Sequence, residues 1–96
     1  MNIKEMIEYP KKGILSKSII KNSKIDASLF CMATGTEIDE HTSTKKGIVY
    51  VLEGNGIFNL EGKDIEMKEG TIIFMNENAV HSLSTEENTS FLLILT

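Results

Sequence analysis

The sequence predicts an all-β domain, and three observations carry that prediction. Short apolar segments rich in Ile and Val recur along the chain. Gly and Asn bound these segments at the spacing of strands and hairpins. No window sustains a helical period over the roughly dozen residues that a globular helix needs. With 96 residues the chain amounts to one domain. Its apolar fraction of 41% is enough for one core and argues against disorder. There is no linker, low-complexity segment or internal repeat, so the all-β reading resolves to a sandwich or barrel.

Each element follows from its neighbours. Residues 1–8 make at most a short turn. Pro10-Lys11-Lys12-Gly13 precedes a strand at residues 14–20, and Thr34-Gly35-Thr36 follows one at 28–33. A strand at 48–52 ends at Gly54-Asn55-Gly56, which reads as a hairpin turn into 57–60. Glu61-Gly62 leads to a strand at 65–67 and Glu69-Gly70 to one at 71–75, and the segments 80–84 and 90–95 complete the set. The expected count is eight to ten strands, on the order of a jelly roll. Glu37-Ile38-Asp39-Glu40 reads as a solvated loop.

Two strands, Ile48-Val49-Tyr50-Val51-Leu52 and Phe91-Leu92-Leu93-Ile94-Leu95, lack polar alternation. A strand in a small antiparallel domain normally shows one face to water. A second surface must therefore cover them, and in so short a chain a second subunit is the economical choice. The expectation is a homodimer, with residues 1–25 as an N-terminal strand or arm in the dimer contact and residues 26–96 as the barrel.

Charge narrows the partners. Ten bases, every one a lysine, face fourteen acids for a net charge of −4. This gives no general support for phosphate-backbone binding, and without arginine no bidentate readout, so nucleic acid is not an expected partner. Six lysines fall within the first 24 residues, but Glu5 and Glu8 are interspersed and the segment reads as solvated. The longest apolar runs are far too short for a membrane helix, and the charged N-terminus has no signal-type apolar region. The lone Cys31 can form no internal disulfide and reads as core packing. Met6, Met32, Met67 and Met75 read as fillers of core gaps. These features fit a small cytoplasmic protein.

From Gly35 onward the chain resembles the cupins, small double-sheet jelly-roll β-barrels. The family's first motif runs glycine, five residues, His-x-His, three or four residues, glutamate, six residues, glycine. Here Gly35 is followed after five residues by His41-Thr42-Ser43, then three residues to Gly47, then six to Gly54. The second motif runs glycine, five residues, Pro-x-Gly, two residues, histidine, three residues, asparagine. Here Gly70 leads after five residues to Asn76-Glu77-Asn78, then after two to His81 and after three to Thr85. The resemblance spans residues 26–96 and implies a cupin-type double-sheet jelly-roll β-barrel.

In that family three histidines and a glutamate converge on one metal. The resemblance implies that His41 and His81 keep two of the four ligand positions, while Ser43 and Gly47 replace the other two with poor ligands. Asn78, which tolerates positive φ, replaces the turn glycine. Strand parity places Ser43 with His41, Leu83 with His81, and Val49, Val51 and Glu53 with Gly47. The expected ligand-binding set is His41, Ser43, Gly47, Val49, Val51 and His81, with open room beside Gly47 and a small molecule as ligand. No tightly bound cofactor is expected. A divalent transition metal (Fe, Mn, Ni or Zn) would be held weakly by His41 and His81, unless Glu37, Asp39, Glu40 or Glu53 supplied a carboxylate. The alternatives are a metal-dependent enzyme of dioxygenase or isomerase type, or a relative of the sensing domains of sugar-responsive regulators, here without any helix-turn-helix pattern.

Overall fold

Nine strands form where apolar segments and turn residues direct them. The computed structural model describes all 96 residues. A 3-10 turn at Ile3–Met6 is followed by β1 (Ile14–Lys21), β2 (Asp26–Met32), β3 (Glu37–His41), β4 (Gly47–Glu53), β5 (Gly56–Leu60), β6 (Lys63–Met67), β7 (Ile72–Met75), β8 (His81–Thr85) and β9 (Thr89–Leu95). One sheet has the order β1-β2-β9-β4-β7 and the other β3-β8-β5-β6, with every paired neighbour antiparallel. The all-β jelly-roll expectation is met.

The core is the layer between the two sheets. Met32, Val49, Val51, Ile73, Met75 and Phe91 from the larger sheet meet Phe58, Met67 and Leu83 from the smaller. Phe30 stacks on Phe91 with ring centroids 5.2 Å apart. These residues alternate with outward-facing ones, as strand geometry demands.

Two segments differ from the sequence reading. Residues 37–40 are not a loop. They belong to β3, an edge strand paired with β8, whose acidic side chains are nevertheless exposed. Edge strands tolerate charge because one of their sides has no neighbour. Gly54-Asn55-Gly56 is not a hairpin either, because β4 and β5 lie in different sheets. It is the corner where the chain changes sheet. A Cβ on Gly54 would run into Thr89 and one on Gly56 into the Ser84 carbonyl oxygen, so the corner closes only with glycine there. The tight hairpin is instead Glu61-Gly62, both at positive φ as a type I′ turn requires.

The first ten residues pack on their own chain, over the outer face of the larger sheet. Ile3, Met6, Ile7 and Tyr9 cover Leu29, Cys31 and Leu52 on the outer face of the larger sheet, and β1 pairs with β2 of the same chain. The apolar strip directly beneath the arm accounts for this. The Tyr9 hydroxyl donates to Glu53 Oε2 at 2.8 Å. Burial, partly offset by the neighbouring Ser90 hydroxyl and reinforced by the Glu53 carboxylate, pushes the Tyr9 phenol up to about 12. Lys17 Nζ donates to the Met6 carbonyl at 2.9 Å and pairs with Glu8 at 3.0 Å. Cys31 is free and fully buried, as its apolar setting predicts.

The inner layer sets the stability. Phe58→Ala, at a site with 1% exposure, is expected to cost about 3–5 kcal/mol. Gly56→Ala is expected to cost about 1–3 kcal/mol, because its methyl meets backbone that cannot yield. Urea denaturation of both variants checks the two values.

Candidate functional site

His41 and His81 face each other across the pairing of β3 with β8. An irregularity between Ile38 and His41 brings this about. Ile38 packs against the core, and three residues on strict alternation would turn His41 outward. The bulge at Asp39-Glu40 restores the inward direction. The two imidazole centroids are 4.0 Å apart with ring planes tilted by 59°. His81 is also stacked nearly parallel on Phe58, at 5.6 Å and 6°. It is buried, whereas His41 is exposed at the mouth.

Backbone carbonyls fix both tautomers. His41 Nδ1 lies 2.9 Å from the Asp39 oxygen, and His81 Nδ1 lies 3.1 Å from the Ala79 oxygen. A carbonyl only accepts, so each Nδ1 carries the proton and donates. Each neutral ring therefore has its lone pair on Nε2. Burial holds the His81 imidazole below its ordinary value of 6.5; the bond to Ala79 opposes this and the charge of His41 adds to it.

The histidines open onto a cavity of about 70 Å³ between the sheets, walled by Phe30, Val49, Phe58, Met75 and Leu93 among others. At about 10–15 Å³ per water-sized group, it holds roughly five such groups. Of the residues expected there, His41, His81 and Val49 line it. Val51 is fully buried in the inner layer and is not part of the wall. Ser43 lies in the loop after β3, where its hydroxyl accepts from the Lys45 N–H. Gly47 leaves no open room: a Cβ there would lie 2.9 Å from Leu95 Cδ2 and 3.1 Å from Met75 Cε, so these side chains fill the space. Glu53 does not share the inner face, because a register shift between Val51 and Glu53 turns it out toward Tyr9. Glu37, Asp39 and Glu40 line a separate polar groove on the other side of the smaller sheet.

The cupin domain model matches residues 28–96. The chain belongs to the cupin domain family. The oxalate-binding protein of Thermotoga maritima is 28% identical over 83 residues, which cover 85% of this chain and 69% of that protein. Among solved structures, a cupin 2 conserved barrel domain protein from Leptotrichia buccalis superimposes at a TM-score of 0.93 and 29% identity, over the whole chain but only 47% of its own length. A conserved protein of unknown function from Streptococcus pyogenes gives 0.91 at 21% identity, over all of this chain and 84% of the other. No helix of this cupin is long and apolar enough to cross a membrane.

The cupin motifs explain why these two histidines meet, and Asn78 holds the turn before His81 at φ 62°. The donor set does not fit the family's usual metal. No group of three His, Cys, Asp or Glu side chains converges anywhere in the chain, and the glutamate position is occupied by aliphatic and thioether groups. Sequence reasoning missed Met75 as a wall of the site. No local signal marks it, because its place in the wall follows from its cross-strand pairing with Gly47.

The cavity ties stability to pH through His81. Its folded value lies below the unfolded one of about 6.5, so the unfolded state binds more protons between the two values. Stability is then full above about pH 6.5 and declines as pH falls toward the lowered value. Urea midpoints are expected to drop from pH 7.5 to 5.5, with a smaller drop in His81→Asn.

Proposed function

We propose that this cupin binds a small carboxylic acid in the barrel mouth, between His41 and His81, without a reaction of its own. The observation that carries the reading is the opposed imidazole pair. With each Nδ1 committed to a carbonyl, the two Nε2 atoms are the polar groups free to meet a ligand in an otherwise apolar cavity. Each Nε2 accepts from a hydroxyl when the ring is neutral and donates to a carboxylate when it is protonated. The volume favours an acid of a few heavy atoms, in line with the oxalate-binding Thermotoga relative.

Calorimetric titration with oxalate tests the reading. One site per chain is expected, with His41→Ala weakening it about tenfold or more, as loss of one charge-assisted hydrogen bond implies. Because His41 is exposed at the mouth, that change leaves the fold nearly intact. His81→Ala is less clean, since His81 also packs on Phe58. Citrate, too large for the cavity, is expected not to compete. Absence of oxalate binding at millimolar concentration, or equal binding by His41→Ala, would refute the proposal.

The protein acts as a homodimer in the cytoplasm under this reading. Support for the dimer comes from the outer face of the larger sheet beyond the arm, where Ile72 is 67% and Phe74 55% exposed and Ile48 and Tyr50 adjoin them. An apolar patch of this kind on an edge strand is an association surface. Sedimentation is expected to give a dimer at micromolar concentration and a monomer for the double variant Ile72→Lys, Phe74→Glu.

A further inference from the structure

We infer that Cys31 is a site of oxidation by a hydroperoxide, and that Ser90 holds the resulting sulfenic acid at that first step. Two buried groups on the outer face of the larger sheet carry this. Cys31 is the only cysteine of the chain, and its thiol is free and fully buried. Ser90 is fully buried as well, and its hydroxyl oxygen makes no hydrogen bond. The two residues are direct cross-strand partners between β2 and β9. Their side chains therefore stand on one face, with Cβ atoms about 5 Å apart. Cys31 packs there with Leu29 and Leu52 beneath the arm. Glu53 pairs with Ser90 from the other side. The Tyr9 phenol neighbours the serine but gives its hydrogen bond to the Glu53 carboxylate.

A buried hydroxyl is normally hydrogen-bonded, and a thiol is a weak partner for one. One oxygen atom on the sulfur changes that. An S–OH group both donates and accepts, and the Ser90 hydroxyl stands opposite to do the converse. In the reaction the Cys31 thiol loses its proton to solvent, and the thiolate attacks one oxygen of the peroxide. An S–O bond forms, the O–O bond breaks, and the departing hydroxide takes up a proton to become water. The sulfur is oxidised by two electrons and the peroxide is reduced by two. A sulfenic acid usually goes on to condense with a second thiol, and this chain has none. The arm, through Ile3, Met6, Ile7 and Tyr9, covers the strip that contains Cys31. Oxidant enters while the arm is parted from the sheet, and its return keeps further peroxide and external thiols from the product.

The inference is independent of acid binding, whose site lies between the sheets. The experiment exposes the folded full chain to hydrogen peroxide and withdraws samples at intervals. Each sample is freed of peroxide, unfolded in urea and treated with dimedone, which traps sulfenic acid and ignores methionine sulfoxide. A dimedone adduct at Cys31 is expected in the folded protein, and its yield is expected to persist under continued peroxide. The same chain oxidised in urea is expected to pass on to sulfinic and sulfonic acids. Ser90→Ala removes a hydroxyl that has no partner in the reduced protein, so its urea midpoint is expected to match or exceed the parent's. Its sulfenic acid is expected to be lost roughly fivefold faster, as the absence of one neutral hydrogen bond implies. The inference is overturned if the folded protein yields no adduct, if the adduct is lost as fast folded as unfolded, or if Ser90→Ala retains it as long as the parent. The comparison of folded with unfolded parent decides the matter even without the variant.

Discussion

No strand ladder joins the two sheets, so they are held face to face chiefly by a single layer of apolar side chains. Phe58, Val51, Phe91 and Met67, all nearly or fully buried, form the middle of that layer. Everything about the site depends on it. The same layer that excludes water from the core stops short at one end, and the gap left there is the cavity under the histidines. His81 belongs to both regions, stacked on Phe58 and 4.0 Å from the tilted ring of His41. Stability and binding therefore meet in one residue, which is why the two histidines are unequal partners despite their matching backbone contacts.

Most of the fold was legible in the sequence because β-strands in a thin domain advertise themselves. Eight of the nine strands coincide with apolar segments bounded by Gly, Asn or charged residues. The exception, β3, is a charged edge strand; its pairing with β8 is a long-range fact with no local signature. The corner at Gly54-Asn55-Gly56 has the composition of a hairpin, and only the sheet order distinguishes the two. The type of turn is local, whereas which strand lies next to which is not.

The site was legible in part, for a similar reason. The spacing of the motifs brings His41 opposite His81. Counting by twos then failed wherever a strand bulged. It failed at Glu53, beyond the irregularity in β4, and it would fail between Ile38 and His41 in β3. A glycine in a sequence also reads as empty space, yet what fills that space is decided by neighbouring strands. At Gly47 these neighbours are β7 and β9, which supply Met75 and Leu95. The glycine therefore faces a packed wall of aliphatic and thioether groups rather than a hole.

The N-terminal arm has a kinetic consequence. Cys31 has no exposed surface while Ile3, Met6, Ile7 and Tyr9 lie over its strand. A thiol reagent can reach the sulfur only when the arm lifts or the sheet opens. The arm is held by a modest apolar contact, the Tyr9–Glu53 bond and the Lys17 contacts, so its opening is expected to require less free energy than unfolding of the barrel. The only thiol in the chain is therefore a built-in clock: its labelling rate measures how often the first ten residues detach, on a timescale separate from global unfolding.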